Sequence, residues 1–174
     1  RSASQKAKDF SQLHKMNLVQ NFDAALSDPN IDAIVLATPH SLHTKEVIEA
    51  AQAGKHVFCE KPFALSKIEA ESAVAATQKA EVTLGLGYNR RLHPEMIKLR
   101  ERIHSGDLGV ILHCEANMTF PNALFLSKDA WRASKEETPC GGLTPMGVHA
   151  IDGMIDLCGE IDEVYCQSFK RAVE

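Results

Sequence analysis

The stretch Ile31-Asp32-Ala33-Ile34-Val35-Leu36-Ala37 constrains the fold of this chain more than any other. It is short, β-branched and almost wholly apolar, which fits a central strand covered on both faces. Two more such runs follow, His56-Val57-Phe58-Cys59 and Val82-Thr83-Leu84-Gly85-Leu86. Helical patterns separate them. Residues 41–53 put Val47, Ile48 and Ala51 inward and stop at Gly54. Ser66 and Glu69 have the S-x-x-E spacing of a capping box, opening a helix to about Ala80. Strand–helix–strand–helix–strand means right-handed crossovers in a parallel sheet. Upstream, Ala3, Ala7, Phe10 and Leu13 recur at helical spacing over 2–16, and Phe22 to Leu26 reads as one or two further turns.

The rhythm changes near residue 90, which divides the chain into domains at 1–90 and 91–174. Residues 94–104 read as a helix with Pro94 in its first turn. Val110 to Phe120 reads as a longer strand with polar positions, suited to a sheet with one open face. Residues 121–141 are irregular. A helix from Pro145 to Cys158 and a strand from Ile161 to Phe169 complete the pattern.

Charge narrows the partners. Lys plus Arg total 19 against 23 Asp plus Glu, a net charge of −4 over 174 residues. That argues against a nucleic-acid grip or a polybasic membrane patch. No apolar run approaches the roughly 18 residues that span a bilayer. The start, Arg1-Ser2-Ala3-Ser4, lacks an initiator Met and an apolar signal core, so it reads as cut. The five cysteines, Cys59, Cys114, Cys140, Cys158 and Cys166, form no C-x-x-C pair. Reduced, mostly buried thiols in a cytoplasmic protein are expected, without a metal site.

Ligands of an open parallel sheet bind outside the carboxyl ends of its strands. Each of the three runs ends there in a polar cluster: Thr38-Pro39-His40-Ser41-Leu42-His43, Glu60-Lys61-Pro62 and Gly87-Tyr88-Asn89-Arg90-Arg91. Lys61 stands just past a buried strand, where partial desolvation suits proton chemistry or hydroxyl binding; a surface pairing with Glu60 is the plainer alternative. His40 and His43, three apart at a helix start, suit helix-terminal hydrogen bonding, since further metal ligands are not evident nearby. Gly85-x-Gly87-x-x-Arg90 lacks the third glycine of a phosphate loop and follows the wrong strand. In Cys140-Gly141-Gly142-Leu143-Thr144-Pro145-Met146-Gly147-Val148-His149, Thr144 can cap a helix with Pro145 at its first position. Gly147 inside that helix suggests close packing or close ligand approach. His149 near the positive helix end would stay neutral and available as a base; a structural histidine is the alternative.

T-P-H-S-L-H, E-K-P, G-Y-N-R-R, W-R and G-G-L-T-P-M-G-V-H-A-I-D, in this order and spacing, resemble the Gfo/Idh/MocA family of NAD(P)-dependent oxidoreductases. The resemblance implies an α/β fold: a Rossmann-type doubly wound parallel sheet, then an α/β domain with an open, mainly antiparallel sheet. It implies hydride transfer between NAD or NADP and a carbinol carbon of a sugar, polyol or related compound. Thr38, Pro39, His40 and His43 would line the cofactor. Glu60 and Lys61 would sit by the nicotinamide ribose, Lys61 also orienting the reacting hydroxyl. Asn89 would approach the cofactor, and Trp131 and Arg132 would reach it from the second domain. His149 would be the general acid/base. Arg1 and Ser2 would fall at the adenosine ribose, where Arg1 hints at the 2′-phosphate of NADP. The family's first strand, glycine turn and first helix would lie upstream of Arg1. These 174 residues alone are therefore expected to hold NAD(P) poorly. The intact protein is expected to be a homo-oligomer. Many members carry Asp four residues before the histidine, where this chain has Pro145. That departure motivates a second reading, a non-catalytic sensor or partner-binding protein on the same fold. A metalloprotein using the histidine-rich segments is the third.

Overall fold

The computed structural model describes residues 4–127 and 129–169. Three short strands, β1 (Ala33–Leu36), β2 (His56–Cys59) and β3 (Leu84–Leu86), form one parallel sheet in the order β1-β2-β3. Leu36 is level with Cys59, and Cys59 with Leu86, so the three strands end together at one edge. Helices α1 (Gln5–His14) and α2 (Phe22–Ser27) precede the sheet, and α3 (His43–Gln52) and α4 (Lys67–Lys79) are its crossovers.

Helices α1, α2 and α4 each start on an oxygen-bearing cap. The Ser4 hydroxyl accepts from Ala7 N–H, the Asn21 carbonyl from Ala24 N–H and the Ser66 hydroxyl from Glu69 N–H. The Ser66 hydroxyl also donates to the Glu69 carboxylate at 2.9 Å, so the expected capping box forms with the side chains paired to each other. Gly54, at φ +72°, turns the chain out of α3 into β2, a conformation that favours glycine.

The core lies on one side of the sheet. Ile34, Leu36, Val57 and Cys59 alternate inward against Val47 and Ala50 of α3, Ala73 of α4 and Phe63. The opposite face is open, with Val35 72% and Phe58 42% exposed. The expectation of a strand covered on both faces is therefore corrected for the described residues, while the parallel α/β sheet of the expected Rossmann type is present. Two right-handed crossovers that step the same way across a sheet put both helices on the same face.

Beyond β3, α5 (Pro94–His104) and α6 (Gly147–Cys158) pack against each other and against a 3₁₀ turn at Asn89–Leu92. The expected strands at 110–120 and 161–169 carry no ladder among the described residues. A strand exists only with a hydrogen-bonded neighbour, and these two segments do not pair. The thiol expectation is corrected as well. All five cysteines are free, but only Cys59 is buried; Cys114, Cys140, Cys158 and Cys166 are exposed.

Candidate active site at the sheet edge

The common end of the strands gathers three loops. After β1, Thr38 and Pro39 lead into a 3₁₀ turn at His40–Leu42, and α3 begins at His43. His43 is completely buried, with Nδ1 2.8 Å from the Pro62 carbonyl and Nε2 3.0 Å from the Thr38 carbonyl. Its ring therefore ties the loop after β1 to the loop after β2. With no exposed surface and a carbonyl within hydrogen-bond reach of each ring nitrogen, it holds the two loops together, its N–H donating to one of the two oxygens. The Thr38 hydroxyl donates to Glu46 on α3.

His40 is buried too, and its Nδ1–H donates to the Glu137 carbonyl at 2.7 Å. Burial lowers its pKa, with the Glu137 carbonyl opposing that shift. Trp131 meets His40 edge-on with ring centroids 4.9 Å apart, and the Arg132 guanidinium lies 4.1 Å over the indole. The Glu137 carboxylate accepts from both the backbone N–H and the hydroxyl of Ser41. A strap running from Trp131 to Glu137 is thus fastened to the first loop from the second half of the chain.

Lys61 follows β2, and the Lys61–Pro62 peptide is cis. Its ammonium donates to the Pro145 carbonyl at 2.9 Å, across a separation of 84 residues. The surface pairing with Glu60 is not what forms. The Glu60 carboxylate instead accepts from the Lys61 backbone N–H at 3.2 Å. It also lies over Gly87, where a Cβ would come within 3.0 Å of it. A larger residue there would crowd both that carboxylate and the Glu60 backbone, its Cβ lying 3.2 Å from the Glu60 Cα. Burial lowers the pKa of Lys61, Glu60 opposes this, and the charges of Arg132 and Arg90 add to it.

His149 sits in the first turn of α6 and is 7% exposed. Burial first, then the charges of Lys61 and Arg90, push its pKa down, against Glu60 and Asp152. The imidazole is therefore neutral near pH 7, and its Nδ1 is buried with no hydrogen-bond partner. A buried polar atom without a partner is rare and marks a site that awaits one.

The start of α6 differs from the sequence expectation. The helix begins at Gly147, two residues after Pro145, and no side chain caps it. The Thr144 hydroxyl accepts from Cys140 N–H instead, within the preceding loop. Pro145 therefore lies in the turn before the helix, where its carbonyl is free to take the Lys61 ammonium. A Cβ at Gly147 would run into the Leu143 side chain, which confirms the expected close packing.

Of the sequence-singled residues, the structure draws Thr38, His40, His43, Glu60, Lys61, Trp131, Arg132 and His149 toward this edge. Asn89 stands exposed at the head of its 3₁₀ turn beyond β3. Arg1 and Ser2 lie outside the described residues. Glu137 escaped the sequence reading, while Arg91 and Asp152 stood in the quoted motifs without an assigned role. Asp152 lies three residues past His149, a helical spacing that could have flagged it. Glu137 gave no local signal.

Among the described residues, no three His, Cys, Asp or Glu side chains gather as a metal site. A nicotinamide group fits this edge better. It offers a neutral imidazole with an unpartnered nitrogen, a lysine whose ammonium is held by a carbonyl, and a glycine that keeps one wall open.

Comparison with known proteins agrees. Residues 1–88 match the oxidoreductase family with an NAD-binding Rossmann fold, and residues 96–174 match the GFO/IDH/MocA C-terminal domain. A myo-inositol 2-dehydrogenase of Thermotoga maritima is 39% identical over 48% of this chain and 25% of its own length. A 2,7-anhydro-N-acetylneuraminate hydratase of Escherichia coli is 34% identical over 83% of this chain and 38% of its own. A levoglucosan dehydrogenase solved with NADH and levoglucosan superposes with a TM-score of 0.77 at 28% identity, over 92% of this chain and 44% of that one. The chain thus spans less than half the length of each of these relatives. The chain belongs to the Gfo/Idh/MocA family of oxidoreductases.

Proposed function

We propose that the protein to which this chain belongs is an NAD(P)-dependent dehydrogenase acting on a secondary alcohol of a sugar or polyol. The observation that carries the proposal is the Lys61 ammonium seated on the Pro145 carbonyl, in the turn before the helix that bears neutral, buried His149. The nicotinamide supplies the hydride acceptor when bound. Lys61 donates a hydrogen bond to the substrate hydroxyl oxygen and stabilises the negative charge that develops there. The neutral His149 imidazole takes the hydroxyl proton, and in the reverse direction returns it. Thr38, Pro39, His40, Glu60, Asn89, Trp131 and Arg132 are the residues proposed to line the cofactor, with His43 holding two of their loops together. The Pro145 backbone oxygen holds the Lys61 ammonium, which supports a site kept in being without the family's Asp. The division at residue 90, a homo-oligomeric intact protein and a cytoplasmic location belong to the same proposal. Among the described residues, no helix is long and apolar enough to cross a membrane.

The test is reduction of NAD⁺ or NADP⁺ by the full-length protein across a panel including myo-inositol and levoglucosan, followed by nicotinamide absorbance. Lys61→Ala is expected to lose on the order of 10² to 10⁴ in rate. Bound cofactor with no turnover of any sugar or polyol refutes the reading. The hydratase relative, matched over 83% of this chain, favours a second reading. Lys61 and His149 would then shuttle protons in water addition to an anhydro sugar. Product formation without net absorbance change separates the two.

A further inference from the structure

We propose that Arg91 is a positioning residue for His149, acting through an interleaved ladder of ion pairs along α6. The Arg91 guanidinium grips the Asp152 carboxylate with both Nε, at 2.9 Å, and a terminal nitrogen. Its other terminal nitrogen stands 3.5 Å from Asp156. Arg100 on α5 closes the ladder on Asp156 at 2.8 Å. The two aspartate side chains are each 11% exposed.

His149, Asp152 and Asp156 are spaced at three and four residues and therefore share one face of α6. Two like charges one turn apart on a largely buried face oppose helix formation. The ladder removes that opposition by setting a guanidinium against each. The bidentate grip also fixes rotation as well as distance, because the planar fork of arginine matches a carboxylate.

Helix α6 needs such an anchor. No side chain caps its start. Gly153 admits α5 closely, since a Cβ there would meet the Met96 methyl at 3.3 Å. The Lys61–Pro145 bond holds the turn before the helix, and the Arg91–Asp152 pair holds the face one turn beyond His149. Arg91 comes from the same 3₁₀ turn as Arg90, so one short element carries both the anchor and a charge that acts on the imidazole.

The charges facing His149 are Lys61 and Glu60 from the loop after β2, Arg90 from the 3₁₀ turn and Asp152 from its own helix. Arg91 neutralises Asp152. Removing either member therefore alters the field at His149 with opposite sign, which loss of packing alone would not do.

The inference rests on the proposed acid/base role of His149, but its first test does not need turnover. In full-length protein carrying ¹³C-labelled histidine, with His149 assigned by His149→Gln, the imidazole is titrated by NMR. Arg91→Gln is expected to raise its midpoint and Asp152→Asn to lower it. No movement in either variant, or movement of both in the same direction, overturns the inference. In the dehydrogenase assay, Arg91→Gln is expected to lower kcat on the order of 10²-fold with little change in KM. Arg91→Lys, which keeps charge but loses the fork, should restore the midpoint and leave kcat low; it stands in if Arg91→Gln does not fold. A kcat within twofold of wild type in both arginine variants also overturns the inference. Failure of the wild-type protein to turn over any substrate refutes the dehydrogenase reading, and the NMR shifts then decide the positioning role alone.

Discussion

Glu137→Ala should unfasten the strap that runs from Trp131 to Glu137. The carboxylate accepts two hydrogen bonds from Ser41, and the neighbouring carbonyl takes the His40 Nδ1–H. A hydrogen bond to a charged group contributes about 1.5–3 kcal/mol. Ser41 is exposed, so water replaces part of what is lost, and a discounted total of about 1–2 kcal/mol is appropriate. That shifts a docked–undocked equilibrium roughly 5- to 30-fold. Trp131 is the only tryptophan of the 174 residues and reports the event directly. It leaves the His40 ring, its emission moves to longer wavelength, and acrylamide quenches it more efficiently. Acid should reproduce the effect in the wild type. Burial alone would raise the Glu137 pKa, but the Ser41 hydroxyl and N–H, with His40, hold it below the usual glutamate range. A depressed carboxylate contributes stability that is complete above its unfolded value, near 4.5, and is lost as pH falls through the folded value. The acid transition should therefore lie below pH 4.5 and vanish in Glu137→Ala. Identical emission and quenching in the variant at pH 7 would refute the reasoning.

Burial drives the Cys59 thiol up to about 12, so it should resist iodoacetamide in the native state. Mass spectrometry should find the four exposed cysteines labelled first and Cys59 only on unfolding. His43→Phe removes the imidazole N–H donor that lies between the Thr38 and Pro62 carbonyls. A buried acceptor left unpaired costs about 1–3 kcal/mol, so urea unfolding should show a loss of about 1–3 kcal/mol. His40 and His149 both have folded pKa values lowered by burial below 6.5. The unfolded chain then binds more protons as pH falls through 6.5, and stability should drop on that side. Denaturation midpoints between pH 7.5 and 5.5, compared with His40→Gln and His149→Gln, should show a shallower slope in the variants.

Local patterns carried much of the fold. The helices at Lys67–Lys79 and Pro94–His104 and the strand at His56–Cys59 lie where periodicity, cap spacing and β-branching put them. The strand ends were legible too, because parallel topology forces the following loops to one edge. The family motifs then pointed to Lys61 and His149, and the structure brings both to that edge.

What the amino-acid order could not determine is everything settled between residues far apart. Alternation divided the strand residues between two sheet faces, but the packing of α3 and α4 decided which face carries the core. Residues 110–120 are strand-like in sequence but carry no ladder among the described residues, since pairing needs a partner and is not an intrinsic property of a segment. Pro145 shows the same division within the site. Its side chain suggested a lost hydrogen-bonding group, and the sequence has no means of showing that its backbone oxygen receives Lys61 from 84 residues away. Propensities act over a few residues, whereas the protonation and placement of His149 are set by burial and by charges on three separate elements. Chemistry of that kind exists only once the chain is folded.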